Sequence, residues 1–281
     1  MSKKFKVGDI SDPYRVREGK QLKLEKFEPD DVGDYSGDDG KVRAEQRTAS
    51  QLAELFKLQE RLYAGQQHSV LIVLQAMDAG GKDGTIKHVF RGLNPQGVRV
   101  TSFKVPSSEE AGHDFLWRVH KEAPARGMMV VFNRSHYEDV LVTRVHGLVK
   151  DKEAQRRFEH IRNFESLLLE RGTLVLKFFL HISKDEQAKR LQARIDDPER
   201  RWKFSPADLE ERKLWTEYHS AFEDVLTETS SAQAPWFVVP ANHKWYRNLV
   251  IVDALVGALE DLELQLPPEP AGVDFAHLRV E

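Results

Sequence analysis

An apolar run at residues 70–76 empties into Met77-Asp78-Ala79-Gly80-Gly81-Lys82-Asp83-Gly84-Thr85 and then into a helical pattern. This order constrains the fold more than any other feature of the chain. A strand that runs through a glycine-rich turn into a helix aims backbone N–H groups and the positive helix end at one point, where an anion binds. Gly80, Gly81 and Gly84 let the backbone curl without obstruction, and Lys82 would set a point charge on a bridging or transferring phosphoryl group. The match to the common phosphate-loop pattern, G-x-x-x-x-G-K followed by serine or threonine, is imperfect. Ala76 stands at the first glycine, Asp83 follows the lysine, and the hydroxyl comes only at Thr85. The competing reading is a glycine-rich turn carrying a surface lysine; the strand before it and the helix after it weigh against that.

Further along, apolar runs of strand length alternate with helical spacing. A helix is expected over 44–64, then strands at 70–76, 98–105, 128–132, 174–182 and 236–239, with helices over 83–93, 109–122, 152–171 and 245–264. Strands separated by helices imply βαβ units: a three-layer α/β/α fold on a mainly parallel five-stranded sheet, with a helical insertion at about 184–229. Residues 1–50 read as a charged arm, 51–265 as the domain, and 266–281, which opens with Pro267, Pro268 and Pro270, as a tail.

The 281 residues are 40% hydrophobic and 31% charged, so the chain can fill a core. It has no cysteine, which excludes disulfides and thiolate metal sites. A net charge of -3 argues against general nucleic-acid binding, so a polyanion would need a local basic patch. No run approaches the roughly 18 apolar residues of a membrane span, and no export signal opens the chain. The expectation is a cytoplasmic protein without a membrane partner. The histidines, among them His88, His113, His120 and His136, have no metal-ligand spacing.

The strand at 128–132 runs into Asn133-Arg134-Ser135-His136-Tyr137-Glu138-Asp139. An apolar strand ending in a polar residue can place a metal- or water-holding group beside the loop lysine, and an arginine next to it can stabilise charge on a transferring phosphoryl group. The alternative is that Asn133 caps a helix and Arg134 pairs with Glu138.

These two segments resemble the phosphate loop and second nucleotide motif of the family-2 polyphosphate kinases. Two more stretches resemble that family in the same order: Ala193-Arg194-Ile195-Asp196-Asp197-Pro198 with Arg201-Trp202-Lys203-Phe204-Ser205-Pro206, like its lid, and Ala234-Pro235-Trp236-Phe237-Val238-Val239-Pro240, like its last core strand. The resemblance covers about residues 52–264. It implies a P-loop kinase-like fold and Mg²⁺-dependent (or Mn²⁺-dependent) transfer between inorganic polyphosphate and AMP, ADP or ATP by a homo-oligomer, commonly a tetramer. Lys82, Arg134 and Asp78 would be catalytic, with phosphate and nucleotide held by Ala79, Gly80, Gly81, Asp83, Gly84, Thr85 and Asn133.

Asn133 stands where many relatives carry a metal-binding aspartate, so Asp78 becomes the metal candidate and Glu138 a compensating carboxylate. Asparagine followed by acids looks like the subgroup that accepts both AMP and ADP. In the lid, Arg190 and Arg194 share a helical face and, with Lys203, would close over the phosphates. The nine basic and eight acidic residues of 184–213 equally describe a solvated helix laced with ion pairs. Lys87 and Arg91 are expected on one helical face just beyond the phosphate loop, where they would line a groove for a long polyphosphate, unless they only solvate a helix. By resemblance, Lys104-Val105-Pro106-Ser107-Ser108-Glu109 would serve the acceptor. Two other functions are weighed against transfer from polyphosphate: an ATP-dependent nucleotide or nucleoside kinase, and a polyphosphate- or nucleotide-binding protein that lost catalysis at Asn133.

Overall fold

The computed structural model of the protein describes residues 6–280; residues 1–5 of the expected arm and residue 281 of the tail lie outside them. Its α-helices and strands run, in chain order, α1 (Gly40–Gly65), β1 (Ser69–Gln75), α2 (Lys82–Val89), β2 (Val98–Ser102), α3 (Ser108–Ala111), α4 (Trp117–Glu122), β3 (Met129–Asn133), α5 (Val142–Val145), α6 (Asp151–Glu170), β4 (Thr173–His181), α7 (Lys184–Asp196), α8 (Pro206–Lys213), α9 (Trp215–Thr229), β5 (Trp236–Pro240) and α10 (Lys244–Glu260).

The five strands form one sheet in the order β2-β3-β1-β4-β5, and every neighbouring pair is parallel. β1 and β4 are buried along their whole length, as strands covered on both faces must be. α1, α2 and α10 pack together on one face, and α6 with α9 cover the other. α10 is buried all round from Tyr246 to Val256, because it lies between α1 and the sheet. Leu55, Leu58 and Leu62 of α1 are buried, each contributing about 1.5–3 kcal/mol. The chain builds outward from β1 in both directions, so the carboxyl ends of β1 and β3 border the crevice where ligands bind in such sheets.

Several elements depart from expectation. α1 begins at Gly40, inside the stretch read as an arm, and β2 ends at Ser102 rather than 105. The helix expected over 109–122 is two helices. A Ser107–Glu110 capping box starts α3, Gly112 closes it, and the Asp114 side chain accepts the Leu116 N–H at 3.0 Å to begin the next turn. α9 belongs to the core: Tyr218, Ala221, Phe222, Val225 and Leu226 are buried, and Phe222 meets Phe179 of β4 at 4.2 Å between ring centroids. The arm itself lies against the domain. The Ser11 N–H donates to Asp253 of α10 at 2.8 Å, and the hydroxyls of Tyr14 and Tyr246 are 2.8 Å apart. Among the described residues no helix is long and apolar enough to cross a membrane.

His181 closes β4, 4% exposed, with the His219 ring 5.6 Å away. Burial, reinforced by His219, drives its pKa down to about 4. The folded value lies below the unfolded one of roughly 6.5, so the stability tied to neutral His181 is complete above pH 6.5 and lost as pH falls towards 4. The expected loss is about 3 kcal/mol across that window. Urea unfolding of the wild type and of His181→Gln at a series of pH values should show a shallower slope in the variant; equal slopes would refute the assignment.

Candidate active site

The site grows from the β1–α2 connection. Leu74 of β1 is level with Asn133 of β3, so both strands end side by side and their loops face each other. Ala79 is left-handed (φ 59°) and Gly81 more so (φ 107°), which turns the loop back on itself before Lys82 opens α2. Gly80 has no room for a side chain: a Cβ would lie 2.6 Å from that of Ala76 and 2.8 Å from the Met77 carbonyl oxygen. Lys82 Nζ donates to the Ala76 carbonyl at 3.0 Å, folding its ammonium over the loop. Burial and the neighbouring Arg134 charge hold the Lys82 pKa below the usual lysine range. Thr85 is buried in the first turn of α2, and its hydroxyl has no hydrogen-bond partner among the described residues.

Arg134 follows β3 and is also left-handed (φ 60°), a conformation that disfavours any residue with a Cβ. Its N–H reaches the Leu74 carbonyl at 3.1 Å, stitching the turn to the end of β1. Its guanidinium donates to Asp78 Oδ1 at 3.0 Å. Burial works against the Arg134 charge, but Glu138 and Asp78 outweigh it, and its pKa moves up. Asn133 donates to Asp83 Oδ1 at 2.9 Å, and Lys203 lies 3.7 Å from the other Asp83 oxygen. Lys82, Arg134, Asp78, Asp83, Asn133 and Lys203 therefore share one site. Arg134 precedes the helical turn that carries Glu138, so the two do not pair along one helix; Glu138 accepts from Gln75 at 2.9 Å while its charge still favours the Arg134 cation.

Two expectations need correcting. α2 ends at Val89, ahead of Gly92, so Arg91 lies beyond the helix and does not share a helical face with Lys87, although both are exposed. Arg190 does not project over the loop as an open cation. It donates to Glu186 at 2.8 Å, to the Ala79 and Gly80 carbonyls at 3.2 and 3.3 Å, and to the Ala241 and Asn242 carbonyls at 2.6 and 2.9 Å. It clamps the phosphate loop to the β5–α10 connection. Arg194, one turn on, is the freer of the two, 3.6 Å from Asp208.

Several residues enter the site that motif reading passes over. Arg247 of α10 is 2% exposed, and among the described residues no carboxylate pairs with it; its guanidinium donates to Asn248 Oδ1 at 2.8 and 3.2 Å. Burial and Arg190 pull its pKa down to about 9. It explains Gly81, whose Cβ would meet Arg247 Nη1 at 2.1 Å. Gln187 donates to the Asp78 carbonyl at 2.9 Å and accepts from Arg212 at the same distance, joining α7 and α8 to the loop. Asp208 of α8 also belongs here: burial, then Asp78, raises its pKa. A charge inside an otherwise apolar helix, a distinction shared with Asp253, is the available signal for Arg247; Gln187 carries none.

The result is a cluster of cations at a helix N-terminus, edged by the carboxylates of Asp78, Asp83, Glu138 and Asp208. Among the described residues no group of three or more acidic or histidine side chains is set to hold a metal. Asp78, Glu138 and the unpartnered Gln75 Oε1 are oxygen donors, a set that suits Mg²⁺, which keeps several waters and takes one or two carboxylates plus substrate phosphates.

The model of the polyphosphate kinase 2 family matches residues 38–267. A Meiothermus ruber protein named AMP/ADP-polyphosphate phosphotransferase is 55% identical over 259 residues, 92% of this chain and 96% of that protein. An ADP-polyphosphate phosphotransferase of Rhodopseudomonas palustris is 46% identical, over 90% and 91% of the two chains. The crystal structure of polyphosphate kinase 2 from Arthrobacter aurescens TC1 superposes with a TM-score of 0.89 at 44% identity, covering 96% of this chain and 95% of that one. With its phosphate loop and arginine turn joined as described, and with matches of this extent, the chain belongs to the polyphosphate kinase 2 family.

Proposed function

We propose that this protein transfers the terminal phosphoryl group of inorganic polyphosphate, reversibly, to AMP and to ADP. The observation that carries this reading is the pair of strained turns, at Ala79 and Arg134, that bring Lys82 and the Arg134 guanidinium to one site. Such strain is costly and persists where the surroundings over-determine it, commonly at functional sites. The names of the relatives from Meiothermus ruber and Rhodopseudomonas palustris supply the substrate class.

Phosphoryl transfer asks a protein for alignment and charge neutralisation rather than covalent chemistry. The donor's terminal phosphoryl sits in the loop, where α2, Lys82 and Arg134 face its oxygens. The acceptor's phosphate oxygen, already ionised near neutral pH, attacks in line, so no strong general base is needed. Bound Mg²⁺, or Mn²⁺ in its place, would be held by Asp78 and Glu138 and would neutralise phosphate oxygens. Lys203 and Arg194 belong to the part of the insertion that covers the site, which ends near Lys213, before the core helix α9. Lys244, whose pKa is lowered by burial and by Arg190 and Arg247, lies with His88, His243, Glu45 and Trp245 around a cavity of about 640 Å³ between α1 and the start of α10. Lys87, one residue before His88, and Lys244 are the cations that a long polyanion would follow on this side. A cytoplasmic homo-oligomer, tetrameric as the family suggests, completes the proposal.

The test separates acceptors. The protein is incubated with Mg²⁺, long-chain polyphosphate and either AMP or ADP, and nucleotides are resolved by chromatography. ADP from AMP and ATP from ADP are expected, and both should disappear with excess EDTA. Product from only one acceptor would withdraw the dual-acceptor part of the proposal.

A further inference from the structure

Every position of β4 is buried, yet its middle residue is Lys177, level with Val73 of β1. The Lys177 ammonium donates to Glu165 of α6 at 2.5 Å, to the Thr229 carbonyl at the end of α9 at 2.7 Å and to the Tyr137 hydroxyl at 3.2 Å. The Tyr137 hydroxyl donates to the other Glu165 oxygen at 2.7 Å. The Tyr137 ring stands edge-on to Trp236 of β5, 4.8 Å between centroids, and the Trp236 indole N–H donates to Thr229 Oγ1 at 2.9 Å. One buried hub thus joins α6, α9, β4 and β5 to the turn after β3.

Stability alone does not account for it. Desolvating an ion pair costs about what its attraction returns, and apolar residues of similar volume are often as stable or more so. A fully bonded polar hub supplies a single arrangement instead. Here that arrangement is the turn from Arg134 to Tyr137. Arg134 is left-handed and tied upstream, through its N–H, to Leu74. Downstream, Ser135 is fully buried with its hydroxyl accepting the Tyr137 N–H at 3.2 Å, and Tyr137 ends in the hub. The strained residue is therefore gripped from both sides.

We propose that the buried Tyr137–Glu165–Lys177 hub is a positioning device for phosphoryl transfer, holding the 134–137 turn so that the Arg134 guanidinium faces the phosphate loop. The proposal rests on the reading of Arg134 as a group that contacts the transferring phosphoryl. Tyr137 acts through Arg134 and touches no substrate.

The test is a kinetic double-mutant cycle on the full-length protein. Tyr137→Phe removes one hydroxyl and keeps the ring packing and the Lys177–Glu165 pair. It should lower kcat about tenfold and leave KM for polyphosphate and ADP within about twofold. In an Arg134→Ala background the same change should alter kcat by less than about twofold, because the group it positions is gone. Equal losses in both backgrounds would assign Tyr137 a structural role and overturn the proposal, as would an unchanged kcat in the single variant. If Tyr137→Phe does not fold, Glu165→Gln, which keeps an acceptor for Tyr137 while weakening the charge pair, replaces it in the same cycle. A loss of kcat confined to the protein that retains Arg134 then supports the proposal, and equal losses with and without Arg134 overturn it. Wild-type kcat in Arg134→Ala alone is a separate result, and it would sink the underlying reading of Arg134.

Discussion

Lys82→Ala is expected to lower kcat for ATP formation from polyphosphate and ADP by about 10³-fold, while the protein stays folded. The size follows from where Lys82 stands. Its ammonium is folded over the phosphate loop, 3.0 Å from the Ala76 carbonyl, and faces Asp78, Glu138 and Arg134. A point charge that is itself largely desolvated and aimed at developing charge is worth far more than one in water. The intact fold follows from the same facts. Burial and Arg134 already disfavour the charged form of Lys82, so removing it relieves an electrostatic cost and deletes one hydrogen bond to a loop carbonyl. Circular dichroism and thermal melts of the variant should match the wild type within a few degrees. A variant that keeps a tenth or more of its turnover would remove Lys82 from the mechanism.

Arg134→Ala is expected to cost about 10²–10³-fold in kcat, and Arg134→Lys to recover little of it. A lysine supplies charge without the planar fork that lets Arg134 donate to Asp78 through one nitrogen and, on this reading, to the phosphoryl oxygens through the others. The backbone allows a sharper comparison. Arg134 is held at φ 60°, where a Cβ costs about 1–2 kcal/mol and glycine is unstrained. Arg134→Gly should therefore unfold at higher urea concentration than Arg134→Ala, with the same loss of kcat. If alanine and glycine variants are equally stable, the left-handed turn is not the strained feature described; if either retains wild-type kcat, Arg134 does not contact the reacting group.

Much of the fold is legible because parallel βαβ architecture writes itself in apolar runs: β1, β3, β4 and β5 fall where continuous apolar stretches predict them. The spacing at 109–122 suggests one helix because it continues across Gly112 and Asp114, where side-chain capping breaks the backbone. α9 looks like part of a charged insertion because Trp215 to Thr229 mixes acids with a buried stripe that only the three-dimensional fold assigns to the core. In the site, Lys82, Asp78 and Arg134 come from contiguous motifs, and contiguity is what sequence conveys. Arg247 lies 165 residues beyond Lys82 and reaches the loop through the packing of α10 on α2, which no local pattern encodes. Arg190 is legible as a cation of the insertion, but its position on a helix says nothing of the backbone carbonyls that take up its donors. Lys177 and Tyr137 are visible as letters, but that they meet over Glu165 is a product of β4 and α6 packing.

The donor is the centre of the functional proposal, and one measurement addresses it directly: ATP formation from ADP with long-chain polyphosphate as the only phosphate donor and Mg²⁺ present, set beside AMP phosphorylation with ATP as the only donor. ATP appearing with polyphosphate, in proportion to enzyme and abolished in Lys82→Ala, is the predicted result. No ATP from polyphosphate, together with ready phosphorylation of AMP by ATP, would contradict it and make the protein an ordinary nucleotide kinase on the same loop.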